Sequence, residues 1–164
     1  MLFWATMTSV SDRYPLTYED LLAFCARQDL RHRGNDERGQ VAILYQILQR
    51  DAPLYLITRP ERGMLSVVLG LPFAIPPERR PYIGEALTRL NASAYMGTWV
   101  MNIATGEVYF RVTLPTLGVQ VQDQTLLFVL RLVVSTVESM APALRRITDE
   151  DISAADLFGP PEDE

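Results

Sequence analysis

The sequence predicts one α+β domain, in which five strands form an antiparallel sheet and three main helices follow the order α-β-β-β-α-β-β-α. Three observations predict this fold. The length of 164 residues suits one ordinary domain. Hydrophobic residues make up 48% of the chain and charged residues 21%, as in soluble globular domains. Strand-like runs joined by short turns alternate with stretches of helical periodicity. We expect the domain to span residues 1–147 and an acidic tail to span residues 148–164.

The first helix begins with a capping box. Thr17 can accept a hydrogen bond from the backbone of Asp20 while the Asp20 carboxylate reaches back, and Leu16 can pack on Leu21. Apolar residues then recur at helical spacing up to an expected end near Gln28: Tyr18, Leu21, Leu22 and Cys25. Because Cys25 lies within this stripe, we expect a buried, unreactive thiol.

Three strand-like runs follow a polar segment, residues 31–39, that predicts a loop and holds His32, the only histidine. The runs are Val41–Leu48, Leu54–Arg59 and Met64–Leu69, and the short turns between them favour an antiparallel meander. The runs are apolar on both sides, whereas a sheet with one covered face would alternate between apolar and polar residues. Both faces of the sheet should therefore be covered, by helices or by a second chain.

A second helix and a hairpin come next. The helix runs to about Asn91, with Pro81 in its first turn, where a missing amide hydrogen costs nothing. Two further strands, Thr98–Asn102 and Glu107–Leu114, flank a turn in which Gly106 suits a left-handed backbone conformation.

The last helix, Asp123 to Met140 with Asp123 as its N-cap, is apolar over too wide an arc to face a single core. On a helical wheel, four residues share a face that suits the core: Leu127, Leu130, Val134 and Val137. Phe128 and Leu132 point to the far side, and with Val129 they form an apolar patch typical of association surfaces. We predict that Phe128, Val129 and Leu132 lie at a dimer or partner interface.

The residue types needed for most catalytic chemistry are missing. All fifteen basic residues are Arg, and the chain has one His and one Cys. It therefore has no phosphate-binding or Schiff-base lysine and cannot form a closed Cys/His zinc site. Four carboxylates that could serve in catalysis are explained by helix capping or by solvated faces: Glu19, Asp20, Glu107 and Glu138. We predict no catalytic residue, no cofactor and no metal, and hence no enzyme.

Charge is unevenly distributed along the chain. The net charge is −5, and the stretch Thr148–Glu164 contributes seven acids and no base, which leaves residues 1–147 at +2. Such a body lacks the basic face that nucleic-acid binding requires. No uninterrupted apolar run approaches the ~20 residues that span a membrane. The first seven residues lack the features of a signal peptide. With the single cysteine, these features predict a cytoplasmic protein that binds neither nucleic acid nor membrane.

The acidic tail also carries three large apolar residues, Ile152, Leu157 and Phe158. This composition is typical of a short docking peptide. It also suits a disordered solubilising tail, or a tail that folds back over its own domain.

One segment resembles a known family. Leu90-Asn91 is followed, within Gly97–Pro115, by a strand, a turn with Gly, a strand of the type Val-Tyr-Phe-Arg and a Leu-Pro exit. This pattern resembles the YbjN family of small bacterial proteins, over residues 17–147 in element order and over residues 90–140 in recognisable residues. The resemblance implies a fold like that of the class I type III secretion chaperones, which are α+β dimers that hold partner polypeptides and catalyse nothing. It supplies no catalytic residues.

We therefore expect a non-enzymatic, homodimeric protein-binding module, chaperone-like or an adaptor, whose partners are itself and an unidentified protein or peptide. The alternative is a regulatory or structural subunit of a larger assembly that signals through its acidic tail.

Overall fold

The computed structural model describes residues 16–158, and its first helix confirms the predicted capping box. In helix α1 (Tyr18–Arg27), the Asp20 amide donates to Thr17 Oγ1 at 3.2 Å and the Thr17 amide donates to the Asp20 carboxylate at 2.8 Å. Leu21 and Cys25 are buried, as the periodicity predicts.

Six strands form one antiparallel sheet, and two short strands form a separate hairpin. The six are β1 (His32–Asn35), β2 (Gln40–Ile43), β5 (Leu54–Arg59), β6 (Met64–Gly70), β7 (Thr98–Met101) and β8 (Val108–Pro115), and the hairpin joins β3 (Gln46–Ile47) to β4 (Arg50–Asp51). The order across the sheet is β1-β2-β5-β6-β8-β7. The predicted fold class is confirmed, with one more strand in the sheet than predicted.

Two local predictions are wrong in this region. Residues 32–35, predicted as part of a loop, form the edge strand β1, which pairs with β2. A polar edge strand carries no apolar signal, because its outer residues face solvent. The run Val41–Leu48 is not one strand: it breaks after Ile43, and Leu48 and Gln49 adopt left-handed conformations (φ 50° and 61°) in the turn between β3 and β4.

Helices cover one face of the sheet. Helix α1 lies against β2, α2 (Arg80–Ser93) against β7, and α3 (Asp123–Asp149) against β6 and β8. A short helix, α4 (Ala154–Phe158), packs on α2. Pro81 lies at the start of α2, as predicted. The core contains large, fully buried side chains from the sheet and from each of the three long helices: Phe24, Leu56, Leu65, Ile83, Phe110, Leu126 and Leu144.

Helix α3 is longer than predicted. It continues past Met140 and through Pro142 to Asp149. Pro142 lies on the exposed side of the helix, while Ala141, Leu144 and Ile147 extend the buried stripe. The packing gained along this stripe outweighs the helix-breaking tendency of one exposed proline.

An ion pair joins the end of α1 to the start of α3. Arg27 Nη2 donates to Asp123 Oδ1 at 2.7 Å, and Arg27 Nε donates to Asp123 Oδ2 at 2.8 Å. The hydrogen bond from the Arg27 guanidinium holds the pKa of Asp123 below its ordinary value. The prediction that Asp123 is the N-cap of α3 is wrong: Gln122 occupies that position, and Asp123 is the first residue of the helix.

Helix α3 also has the length and the mean hydropathy, 1.6, of a helix that could cross a membrane. This likeness rests on length and composition alone. In the fold, Leu126, Val133 and Leu144 of α3 are buried in the core, and 28% of the most apolar 18-residue window of the helix is buried.

The turn between β7 and β8 confirms the predicted role of Gly106. Its φ of 77° is left-handed, and a Cβ at this position would collide with the backbone carbonyl of Ile75. The Gly106 amide donates to the Asn102 carbonyl at 2.7 Å, which closes the turn.

Candidate protein-binding surfaces

Neither the single cysteine nor the single histidine has a setting that favours catalysis. Cys25 is buried, and burial raises the pKa of its thiol from 9.0 to about 11, so the thiol is protonated and unreactive at neutral pH. His32 lies in an edge strand, where its Nδ1 is 2.7 Å from the Leu30 carbonyl oxygen. Within residues 16–158, no group of three His, Cys, Asp or Glu could hold a metal ion.

The four carboxylates considered for catalysis lie on different elements. Asp20 caps α1, Glu107 accepts a hydrogen bond from Thr105 Oγ1 at 2.9 Å, and Glu138 accepts one from the Tyr45 hydroxyl at 2.8 Å. Glu19 lines an open, polar cleft of about 630 Å³ between the start of α1 and the turns that follow β1 and β5. Structural hydrogen bonds therefore account for three of these carboxylates, and a solvated cleft accounts for the fourth.

The outer surface of α3 exposes part of the predicted association patch. Phe128 is 58% exposed, whereas Leu132 is half-buried and packs partly on the core. We refer to Phe128, Arg131, Leu132 and Ser135 as the α3 surface. The phenyl ring of Phe128 is its largest exposed apolar group.

The inclusion of Val129 in this patch is wrong, because Val129 is only 1% exposed and belongs to the core. The helix is rotated relative to the predicted wheel. Its buried stripe contains Leu126, Val129, Leu130, Val133 and Val137, while Leu127 and Val134, both expected in the core, are half-buried.

The described part of the acidic tail folds back onto its own domain. Ala154 is fully buried, and Ile152, Leu157 and Phe158 are half-buried against the core. Of the arrangements that the sequence left open, this is the one the structure adopts, and docking of these three residues to a partner stays a prediction. Because α3 runs to Asp149, the boundary drawn between residues 147 and 148 falls inside a helix.

Arg79 attaches this returning segment to the domain. Its guanidinium donates to the backbone carbonyls of Ile147, Glu150 and Ile152 at 2.6–2.9 Å and lies 4.4 Å from the ring centre of Tyr82. Carbonyls at the end of a helix have no partner within that helix. Arg79 therefore caps α3 and fixes the start of the tail.

The second face of the sheet carries no helix within residues 16–158. We call it the open face; it consists of the strand residues that alternate with the buried ones, and none of them is buried. Its central row crosses five strands in register: Arg33, Ala42, Tyr55, Val68 and Arg111. The two-sided apolar pattern of the strands had indicated a surface that needs cover. Within residues 16–158, helices provide that cover on one face only.

A family model described as a putative bacterial sensory transduction regulator, YbjN, matches residues 17–146. The chain belongs to the YbjN family. The match begins at the N-cap of α1 and ends within α3, so it contains the whole six-stranded sheet. The resemblance seen in the sequence is thus confirmed, and α4 lies outside the residues of this chain that match the YbjN family.

Two solved structures share the fold. The crystal structure of YbjN, a putative transcription regulator from E. coli, has a TM-score of 0.60 at 11% sequence identity, covering 84% of this chain and 92% of that one. The crystal structure of the ExsC–ExsE complex contains a chain with a TM-score of 0.59 at 18% identity, covering 77% of this chain and 92% of that one. At such identities the similarity shows the fold alone, and it confirms the predicted chaperone-like α+β class. No curated protein matches the chain in sequence.

Proposed function

We propose that this YbjN-family chain is a non-enzymatic protein-binding module, chaperone-like or an adaptor, that acts in the cytoplasm as a homodimer. The family description as a regulator supports a role exerted through other molecules, and the solved structure of the ExsC–ExsE complex is an assembly of two proteins, one chain of which shares this fold. The observation that carries the proposal is the exposed ring of Phe128 on the α3 surface.

The α3 surface suits contact with a second copy. Burial of one Phe side chain contributes roughly 2–3 kcal/mol, and Leu132 beside it is already half-desolvated. Arg131 and Glu138 give this side of the helix both signs of charge, so two copies can meet there without a net repulsion. A contact between identical surfaces is the commonest route to a dimer.

The test is Phe128→Asp, followed by light scattering for mass and circular dichroism for fold. We expect the variant to shift from dimer to monomer with an unchanged spectrum, because Phe128 lies outside the core. Ile103→Asp is the matched control, since Ile103 is 74% exposed in the turn between β7 and β8. Its mass should equal that of the wild type. An unchanged mass for Phe128→Asp would show that the α3 surface does not hold the dimer, and a lost fold would place Phe128 in the core.

A second candidate function is that of a regulatory or structural subunit that signals through its acidic tail. The observation that favours it is the way Arg79 fixes the tail while Glu150, Asp151 and Asp156 stay exposed. The variant Glu162→Gln with Asp163→Asn and Glu164→Gln tests it by removing three negative charges from the tail. If the tail signals, partner capture should fall in this variant while the mass of the dimer is unchanged.

A further inference from the structure

Charge is distributed unequally between the two faces of the sheet. The six strands of the sheet contain no Asp and no Glu, in a chain with twenty acids. Their three Arg residues, Arg33, Arg59 and Arg111, all fall on the open face. A protein with a net charge of −5 therefore presents one face whose strand residues carry only positive charge.

Arg33 and Arg111 are the two charges on this face that are available to a ligand. Both are exposed, and neither guanidinium has a hydrogen bond or an ion pair with any other residue between 16 and 158. The orientation of Arg33 follows from its neighbour: a Cβ on Gly34 would collide with the Tyr18 hydroxyl of α1, so Gly34 faces the helices and Arg33 faces away. Arg59 differs, since its Nη1 donates to the Arg38 carbonyl at 2.6 Å.

The two arginines lie at opposite ends of an apolar strip. Ala42, Tyr55 and Val68 stand between them in register, and each is half-exposed. Four strand spacings separate Arg33 from Arg111, a distance of about 19 Å. An extended polypeptide rises about 3.3 Å per residue, so about six residues would bridge the two charges.

The charge of the open face argues against two other occupants. A second copy paired through the same face would place Arg against Arg without an acid to compensate. A nucleic acid is bound chiefly through Lys and Arg that neutralise several phosphates, whereas this face offers three Arg residues on a chain of net negative charge.

We propose that the open face binds an acidic, partly apolar segment of a partner polypeptide. Its carboxylates, about six residues apart, contact Arg33 and Arg111, and its apolar side chains lie on Ala42, Tyr55 and Val68. This inference rests on the proposed protein-binding function, to which it adds the chemistry of the partner.

The test uses the full chain and a fluorescent peptide of about ten residues, with Asp-Glu at each end and Leu, Val and Phe between them. Arg33→Glu combined with Arg111→Glu should lower its affinity, measured by anisotropy, by about tenfold or more. The control is Arg50→Glu combined with Arg62→Glu: both residues are exposed and lie outside the six strands and outside the α3 surface, and the change in net charge is identical. The control should bind within about twofold of the wild type.

A second pair of variants tests the apolar strip. Tyr55→Ala should weaken binding of the acidic peptide, whereas Tyr95→Ala, at a fully exposed tyrosine outside the strands, should not. A peptide with Lys in place of its acids should fail to bind the wild type. Circular dichroism of every variant checks that the fold persists.

Three results would overturn the inference. Equal losses in the two double variants would show attraction by net charge alone. An oligothymidine that binds as tightly as the acidic peptide, and is lost in the same variant, would assign the face to nucleic acid. A wild-type dimer that binds no acidic peptide would refute the inference and leave the homodimer proposal intact. A wild-type monomer that binds the peptide would support the inference and refute the homodimer proposal.

Discussion

The two faces of the six-stranded sheet both carry apolar residues but differ in what packs against them. On β6, Val67 is fully buried beneath the helices, while the next residue, Val68, is half-exposed on the open face. The helices between residues 16 and 158 cover one face, and every Arg of the six strands lies on the other. Apolar residues on both sides of a strand indicate that both faces of the sheet are to be buried. The position of the Arg side chains indicates which of these faces binds a partner.

The largest expected effect separates the two faces at adjacent residues. Val67→Asp places a carboxylate in the core and should cost about 4 kcal/mol or more, enough to unfold a domain of ordinary stability. Val68→Asp makes the same change on the open face and should cost within about 1 kcal/mol. Urea denaturation followed by circular dichroism measures both. Similar losses in the two variants would mean that the open face is as tightly packed as the core.

The next prediction tests whether Arg79 attaches the returning tail to the helices of the domain. Arg79→Ala removes the charged donor to the carbonyls of Ile147, Glu150 and Ile152, and should cost about 2 kcal/mol. Arg62→Ala, at an exposed arginine in the turn after β5, should change stability by less than about 0.5 kcal/mol. Limited proteolysis should also cut Arg79→Ala after α3 sooner than the wild type. Equal stability and equal cleavage would show that the tail is attached by other contacts.

A smaller effect tests the orientation of the edge strand β1. Gly34→Ala must displace the Tyr18 side chain of α1 and should cost about 1 kcal/mol. Arg33→Ala, one residue away on the open face, should be neutral within about 0.5 kcal/mol. The unfolding midpoints of the two variants measure the difference. A larger loss for Arg33→Ala than for Gly34→Ala would show that Arg33, and not Gly34, faces the helices.

A pH-dependent effect concerns the buried thiol of Cys25 on the covered side. Burial raises its pKa from 9.0 to about 11, so the folded state favours the protonated form. The corresponding stability is fully present below pH 9 and is lost as the pH rises from 9 to about 11. Cys25→Ala should therefore lose less stability over this range than the wild type, although it starts from a lower value. Parallel curves would show that the thiol is not buried.

Features that a few neighbouring residues determine could be predicted from the sequence. Thr17 and Asp20 form a capping box by themselves, Pro81 fits only the start of a helix, and Gly106 meets the backbone demand of its own turn. Strand β1 could not be predicted, because its hydrogen bonds come from β2 and its residues carry no apolar pattern.

The candidate surfaces were predicted only where neighbouring residues indicate which side is exposed. Helix α3 is apolar on most sides, so its sequence does not fix the face that packs on β6 and β8, and Val129 was assigned to the wrong side. The exposure of Phe128 was indicated because its neighbours Arg131 and Ser135 are polar. The returning tail could not be predicted, since its attachment depends on Arg79, which is distant in the sequence.

In the arrangement we propose, the chain has two separate association surfaces, the α3 surface for a second copy and the open face for an acidic partner. Native mass spectrometry of the wild type, mixed with the acidic peptide, tests this claim most directly. We expect a dimer that carries up to one peptide per chain, because the two surfaces lie on opposite sides of the sheet. Peptide-bound monomers formed at the expense of the dimer would contradict it, since both ligands would then compete for one surface.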